Sequence, residues 1–164
     1  MEENLQRMIK LAEDFFETKN DPTQISVSEE VMERLRKIHP STINERRNEK
    51  GPIAWVLVIP TTQAVMDEFI AKTINEKELL DKTPLGARYE AIYLCSALVL
   101  PEHRGKGLAR ILLSEAVKSI RKQHPIKSLF YWGFSVEGEK LSEAVARESN
   151  LPLFQRPPDI DSAL

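Results

Sequence analysis

The chain has 164 residues, of which 41% are apolar and 29% charged, and its formal net charge at pH 7 is −2. This length and composition predict one folded domain spanning 1–164, and no apolar run approaches the roughly 20 residues that cross a bilayer. The small net charge argues against a nucleic-acid partner. The single cysteine, Cys95, excludes an internal disulfide and fits a reducing compartment, so we expect a cytoplasmic location.

The first half of the chain shows helical periodicity followed by a short strand pattern. The N-terminal helix has apolar residues at i, i+3 and i+4 spacing, and the strand is rich in β-branched residues between two prolines. The predicted elements are, in chain order, a helix over 3–19, a helix from Ser28 to His39, a polar loop over 40–51, a strand over Ile53–Ile59, a helix beginning at Thr61 or Thr62, and a charged, turn-rich segment over 75–86.

The second half of the chain alternates strands with helices. The predicted elements are a long strand over Tyr89–Leu100, a helix over Gly107–Lys122, a strand over Ser128–Phe134, a helix over Glu137–Glu148, a short strand over Leu151–Gln155 and a loosely ordered tail over Arg156–Leu164. This alternation predicts an α/β fold in which a mixed, partly antiparallel central sheet carries helices on both faces.

The segment Pro101–Arg110 lies where a predicted strand turns into a predicted helix. Its sequence is Pro-Glu-His-Arg-Gly-Lys-Gly-Leu-Ala-Arg. Two glycines leave backbone N–H groups uncovered, and the N-terminus of a helix presents unpaired N–H groups and the positive end of the helix dipole. The segment therefore predicts an anion site suited to a pyrophosphate.

Basic residues are concentrated beside this segment. Between Pro101 and Ser128 the chain has seven lysines and arginines against two acidic residues, a net charge of +5. The concentration suits a phosphate-bearing ligand, and it also suits an ordinary solvated helix face.

These residues carry a family resemblance. The stretch Ala97–Leu113 resembles the acyl-CoA-binding segment of the GNAT acetyltransferase superfamily, whose pattern of Arg or Gln, two residues, Gly, one residue, then Gly or Ala falls here on Arg104, Gly107 and Ala109. Val99 stands two residues before Pro101, as is usual in the family. The resemblance implies a GNAT-like fold, acetyl-CoA as acyl donor and an amine as acceptor.

The resemblance also implies which residues contact the cofactor. The N–H groups from Gly105 to Arg110 would hold the CoA pyrophosphate, and the pantetheine arm would lie between two diverging strands and pair with the backbone of Ala97–Val99. An N–H at Leu98 or Val99 would stabilise the oxyanion. The cofactor-binding candidates are Ala97, Leu98, Val99, Arg104, Gly105, Lys106, Gly107, Leu108, Ala109 and Arg110.

Candidates for proton transfer lie on the two strands that flank the expected thioester. Glu90 is a candidate general base, because members of the family often use a Glu on this strand. The alternative is that Glu90 is a surface carboxylate without a catalytic role. Tyr93 and Tyr131 are candidate acids, and core packing with a satisfied hydroxyl is the alternative for Tyr93. Many family members instead use a tyrosine in the helix after the second flanking strand, and 137–150 contains no Tyr. Tyr93 and Cys95 share strand parity with Ala97, so we expect all three on one face.

The sequence thus predicts an acetyl-CoA-dependent N-acetyltransferase that works by direct transfer in a ternary complex. Because that tyrosine is missing, a non-catalytic CoA-binding sensor or scaffold is the alternative function. A third alternative is a protein that uses the same loop to bind only the phosphates of a nucleotide. We expect no metal, because His39, His103 and His124 lack a second ligand at helical or hairpin spacing. The expected partner is a small-molecule or peptide amine, with no nucleic acid or membrane, and a homodimer is possible from family habit.

Overall fold

A computed structural model describes residues 2–16, 23, 25, 28–133 and 135–158. Six helices and five strands lie within these residues. They are α1 Glu3–Phe16, α2 Glu29–Ile38, β1 Ile43–Asn48, β2 Gly51–Thr61, α3 Gln63–Ile70, α4 Glu76–Lys82, β3 Ala91–Val99, α5 Leu108–Arg121, β4 Ser128–Trp132, α6 Val136–Ser149 and β5 Leu153–Arg156, with a short 3-10 turn at Pro101–His103.

The five strands form one sheet in the order β1-β2-β3-β4-β5. The pairs β1–β2 and β2–β3 are antiparallel, and the pairs β3–β4 and β4–β5 are parallel. The chain is therefore α/β with a mixed, partly antiparallel sheet, and the predicted fold class is confirmed. Because β3 belongs to both halves, it separates the antiparallel hairpins from the parallel crossovers.

Helices pack on the sheet through apolar stripes. α1 places Met8 and Ala12 over Ile53, Leu98 and Leu100, whereas α5 packs along β1, β2 and β3 and against α6. The stripe of α5 that is buried in this packing consists of Leu112, Leu113, Ala116, Val117 and Ile120, as its helical spacing predicts. Among the described helices, none is long and apolar enough to cross a membrane.

The segment 40–51, expected to be a loop, contains the edge strand β1. Its sequence Ile43–Asn48 is almost wholly polar, and its last four residues are exposed. Charged side chains are typical of sheet edges because they discourage pairing with other chains. Arg46 pairs with Glu115 of α5 at 3.2 Å, and the Trp55 indole N–H donates to Glu45. These polar contacts, rather than an alternation of apolar and polar residues, distinguish the strand.

β2 is longer than predicted, because it includes the two prolines that were expected to bound it. Pro52 pairs with Arg47 where the β1–β2 register shifts, and Pro60 pairs with Ile92 beyond the last residue of β2 that is paired with β1. Proline lacks a backbone donor and is tolerated at bulges and unpaired edges. Both prolines occupy such positions.

The turn-rich segment 75–86 contains a helix, α4. Asn75 and Glu78 form a reciprocal capping box, and Leu79 and Leu80 are buried. The pattern Asn-x-x-Glu before an apolar pair was the signal in the sequence. With α3, this helix fills the connection between β2 and β3.

Arg156, predicted to begin a loose tail, is a buried residue of β5. Its guanidinium donates to the carbonyl oxygens of Phe69 and Ile74 at 2.8 and 2.6 Å, and lies over the rings of Phe69 and Trp132. The last strand therefore anchors the α3–α4 connection. Residues 17–19, Phe134 and 159–164, to which the sequence predictions also extended, lie outside the described residues.

A histidine three residues after α5 makes stability depend on pH. The Tyr89 N–H donates to His124 Nδ1 at 3.3 Å, which requires that nitrogen to be unprotonated. Burial, then the charges of His39 and Arg88, lowers the pKa of His124 below 6.5. Because the folded pKa is depressed, the stabilisation is complete above about pH 6.5 and is lost as pH falls toward the folded pKa. Between pH 7.5 and pH 5.5, the melting temperature of His124→Asn should fall less than that of wild type. Thermal denaturation at the two pH values measures this difference.

Candidate active site

Two neighbouring parallel strands separate part-way along their length. β3 and β4 pair at three positions, from Ala91 opposite Ser128 to Tyr93 opposite Phe130. β3 then continues along β2 to Val99, past its last pair with β4. We call the side of β3 over 94–99 that faces away from β2 the free edge. No residue of this edge pairs with β4, and the edge includes the predicted residues Ala97, Leu98 and Val99.

A β-bulge marks the start of the free edge. Leu57 pairs with Ser96 whereas the next residue, Val58, pairs with Leu94, so Cys95 is an additional residue in β3. A bulge bends its strand and increases the local twist. This accounts for the separation of β3 from β4 directly after Tyr93.

Because of the bulge, Tyr93 and Ala97 do not lie on one face of the sheet as predicted. Residues directly opposite each other in a ladder point to the same face of the sheet. Tyr93 is opposite Ile59 and Ala97 is opposite Val56, and positions 56 and 59 of β2 point to opposite faces. Ala97 therefore faces away from Tyr93. Simple alternation failed here because a one-residue bulge inverts it.

The free edge leads into a glycine-containing loop at the N-terminus of α5. Gly105 and Gly107 have φ of +81° and +75°, and Gly107 is the N-cap. The first intrahelical bond runs from the Ile111 N–H to Gly107, so the N–H groups of Leu108, Ala109 and Arg110 have no acceptor within the helix. A Cβ at Gly105 would meet nothing within 4 Å, and one at Gly107 only the Arg110 guanidinium at 3.6 Å. We call this predicted anion site, from Gly105 to Arg110, the anion cradle.

Charged side chains around this loop are already positioned by protein contacts. Arg104 donates through Nε to the carbonyl oxygen of Val99 at 3.0 Å, which folds it back on the end of β3. Arg110 pairs with Glu148 of α6. Arg7 of α1 holds Glu102 with two hydrogen bonds of 2.7 Å, and this contact lowers the Glu102 pKa to about 2. Lys106 is exposed at the tip of the loop.

Glu90 lies away from the free edge. It precedes β3 at the end where β3 and β4 are paired, and its carboxylate is 3.7 Å from the Lys127 ammonium. About 10 Å of strand separates it from the point beyond Tyr93 where the strands diverge. The structure does not bring Glu90 together with the other candidates, and its position fits the surface-carboxylate alternative.

Tyr93 is fully buried and its hydroxyl is committed to a carboxylate. The hydroxyl donates to Glu76 Oε2 at 2.6 Å, and the Cys95 thiol lies 3.6 Å from the same oxygen. Burial and the neighbouring Glu76 charge raise the pKa of Tyr93 and of Cys95 well above their usual ranges. Cys95 is therefore a poor nucleophile. Sequence reasoning missed Glu76, because only the fold brings α4 onto β3.

Tyr131 is the predicted acid that lies where the strands diverge. It follows Phe130, the last residue of β4 that is paired with β3, and is itself paired with Gln155 of β5. Burial raises its pKa, and the charges of Glu139 and Glu143 on α6 raise it further. Trp132 points instead toward Phe69, with ring centroids 6.2 Å apart. The two neighbours thus have opposite facing, as alternation along a strand requires.

Comparison with known proteins identifies the family of this arrangement. The model of the acetyltransferase (GNAT) family matches residues 6–143. This chain belongs to the GNAT family. The sequence resemblance is thereby confirmed, and the matched residues extend from α1 into α6, well beyond the loop that carried the resemblance.

A solved structure is also similar to this chain. It is Chaetomium thermophilum Naa20 in complex with a bisubstrate analogue, with 13% sequence identity and a TM-score of 0.47. The similarity covers 79% of this chain and 59% of the Naa20 chain. Among curated proteins, none matches the chain significantly. Within the described residues, no group of three or more potential metal ligands lies together.

Proposed function

We propose that this member of the GNAT family transfers an acetyl group from acetyl-CoA to a primary amine by direct transfer in a ternary complex. The observation that carries the proposal is the continuity of the free edge of β3 with the anion cradle at the start of α5. One surface therefore offers backbone partners for an extended arm and, at its end, N–H groups and cations for a pyrophosphate.

The residues of the loop fit acetyl-CoA. The open space over Gly105 and Gly107 lets a phosphate approach the backbone, and a helix N-terminus favours negative charge. When bound, acetyl-CoA supplies an activated acetyl thioester. Ala97, Leu98 and Val99 would pair with the pantetheine arm, and an N–H at Leu98 or Val99 would stabilise the oxyanion. Arg104, Lys106 and Arg110 would balance the phosphate charge.

The proposal extends to the setting in which the protein works. The acceptor is a small-molecule or peptide amine, the location is the cytoplasm and nucleic acid and membranes are not partners. These statements are supported by the composition, the single cysteine and the family membership.

Calorimetry and a transfer assay test this function together. We expect acetyl-CoA to bind and to raise the melting temperature as its concentration increases, since a ligand selective for the folded state stabilises it by mass action. CoA thiol should be released in the presence of a panel of primary amines. Absence of binding at millimolar acetyl-CoA would overturn the proposal. Binding without transfer to any amine would favour the non-catalytic CoA-binding module, and equal affinity for ADP and CoA would favour a nucleotide-phosphate binder.

Tyr131→Phe should lower turnover while leaving acetyl-CoA affinity unchanged. Tyr131 directly follows the last β4 residue that is paired with β3, and its raised pKa keeps the hydroxyl protonated and able to donate a proton to the leaving thiolate. Loss of a general acid typically lowers the rate about 100-fold or more. Steady-state kinetics and calorimetry measure the two quantities, and Tyr89→Phe, whose hydroxyl bonds to the carbonyl oxygen of Pro84, is the control. Unchanged turnover in Tyr131→Phe would show that solvent protonates the thiolate.

A further inference from the structure

A cavity lies on the face of the sheet that α1, α2 and α4 cover. Its volume is about 130 Å³, and its walls are formed by these helices and by β1, β2 and β3. Most of the lining is apolar, including Met32 and Leu35 of α2 and Trp55 of β2. An apolar cavity of about 150 Å³ holds a benzene molecule. The space therefore suits an aromatic ring or a branched aliphatic group of similar size.

Three residues of the stretch of β3 that carries the free edge also line this cavity, on the face of the sheet. Cys95, Ser96 and Leu98 line it, and each lies beyond the last pair of β3 with β4. A molecule in the cavity therefore contacts the stretch of β3 along which the acetyl-bearing arm would run under the proposed function.

A buried carboxylate stands where the cavity meets the bulge. Glu76 is the one acidic residue among the described lining residues, and it is 8% exposed. Its Oε1 accepts from the Ile25 N–H at 3.1 Å, and its Oε2 accepts from the Tyr93 hydroxyl at 2.6 Å and faces the Cys95 thiol. A carboxylate held in an apolar cavity attracts a cation such as an ammonium group.

We infer that this cavity binds a primary amine carrying an apolar group about the size of a phenyl ring, and that Glu76 is the catalytic base that takes the proton from the ammonium. This inference rests on the proposed function and specifies its acceptor. The apolar group lies against α2 and Trp55, and the amine nitrogen lies between Glu76 and the free edge. Glu76 is the first residue of α4, so the base is supplied by an element outside the strands that hold the arm.

The proton and group transfers balance without a further reactant. The ammonium loses one proton to the Glu76 carboxylate, which passes it to solvent. The free amine forms a C–N bond with the acetyl carbon as the C–S bond breaks. The second nitrogen proton leaves, and the thiolate takes up one proton, so the products are the N-acetyl amine, CoA thiol and one released proton.

The environment of Glu76 suits this role. Burial raises its pKa, while the hydrogen bonds from Tyr93 and Ile25, the Cys95 thiol and the charge of Arg156 lower it. Of these, Tyr93 and Cys95 of β3 and Arg156 of β5 are the charged and titratable groups that act on Glu76. A carboxylate of raised pKa is a stronger base than an exposed one, provided that it is ionised at the working pH.

Substrate choice tests the cavity. We expect kcat/KM to be at least about 10-fold higher for 2-phenylethylamine, or for a peptide with an N-terminal Phe, than for ethylamine or spermidine, because burying several methylene equivalents favours the larger apolar group. Met32→Trp, which fills the cavity, should raise KM for 2-phenylethylamine about 10-fold or more and leave ethylamine unaffected. Preference for polar amines, or an equal effect of Met32→Trp on both amines, would overturn the assignment.

Kinetics of two variants test the base. Glu76→Gln should lower kcat for 2-phenylethylamine about 100-fold or more, with acetyl-CoA affinity unchanged, and Asp81→Asn on the exposed side of α4 is the control. Tyr93→Phe removes a hydrogen bond that lowers the Glu76 pKa, so the acid limb of the kcat profile should move to higher pH. Tyr89→Phe, another buried tyrosine that bonds to the carbonyl oxygen of Pro84, should not move it.

The outcomes separate the two proposals. Wild-type turnover in Glu76→Gln, or an acid limb that stays in place in Tyr93→Phe, would overturn the role of Glu76 and leave the acetyltransferase function intact. A wild-type protein that binds no acetyl-CoA and acetylates no amine would overturn both. If Glu76→Gln fails to fold, the Tyr93→Phe pH profile and the Met32→Trp selectivity still decide.

Discussion

Gly107→Glu should abolish most acetyl-CoA binding while the protein stays folded. Gly107 is the N-cap of α5, and the N–H groups of Leu108 to Arg110 follow it without intrahelical acceptors. A glutamate there would place a carboxylate beside the N–H groups on which a pyrophosphate would sit. Hydrogen bonds to a charged group are worth about 1.5–3 kcal/mol each, so losing two predicts a Kd that rises about 100-fold or more in calorimetry.

A matched control separates this effect from backbone strain. Gly86 has a φ of +73°, against +75° at Gly107, and a Cβ there would meet nothing within 4 Å. Gly86→Glu therefore imposes similar strain and the same charge at a distance from the loop. It should bind acetyl-CoA as wild type does. If Gly107→Glu binds equally well, the anion site is elsewhere in the protein.

Phe69→Ala should cause the largest loss of stability among single substitutions in α3. Phe69 is fully buried, and its ring centroid lies 4.9 Å from that of Tyr93 and 5.9 Å from that of Phe130. Truncating a buried phenylalanine to alanine costs about 3–5 kcal/mol, because it removes apolar burial and leaves a cavity. For a chain of this size we expect a fall in melting temperature of about 8–16 °C by calorimetry.

Phe154→Ala is the corresponding control on β5. Phe154 is 45% exposed, so its removal should change stability by no more than about 0.5 kcal/mol. Equal melting temperatures for the two variants would mean that α3 is peripheral. The expected difference would show that the α3–α4 connection is part of the core, on which the position of Glu76 depends.

Much of the second half of this fold follows from its sequence. The apolar spacing of Leu112, Leu113, Ala116, Val117 and Ile120 locates α5, and the glycines before it locate the loop. These signals are local, because periodicity and glycine placement act over a few residues. Family membership followed from the same stretch.

The first half was harder because its signals are polar or tertiary. β1 consists of charged residues that suit an edge, and β2 includes two prolines at positions where no donor is needed. α4 is short, and its capping box was its clearest mark. Local patterns of hydrophobicity therefore understated the structure between 40 and 86.

The site was predictable where backbone geometry defines it and unpredictable where packing does. The cradle at Gly105 and Gly107 follows from residue types alone. The partnership of Glu76 with Tyr93 joins residues 17 positions apart in the chain, across a helix, a loop and a strand. Tyr93 could be identified as a candidate, but its role depends on a neighbour that only the fold supplies.

The additional residue at Cys95 has a consequence for how this sheet can change. With this residue, β3 consists of two short segments. Residues 91–93 pair with both β2 and β4, whereas 96–99 pair with β2 alone. A chain shortened by that one residue would have an unbroken ladder with β2 and lose the bend that parts β3 from β4. The gap between β3 and β4, where we propose that acetyl-CoA binds, is thus maintained by chain length at a single position, so a one-residue deletion would matter more here than most substitutions.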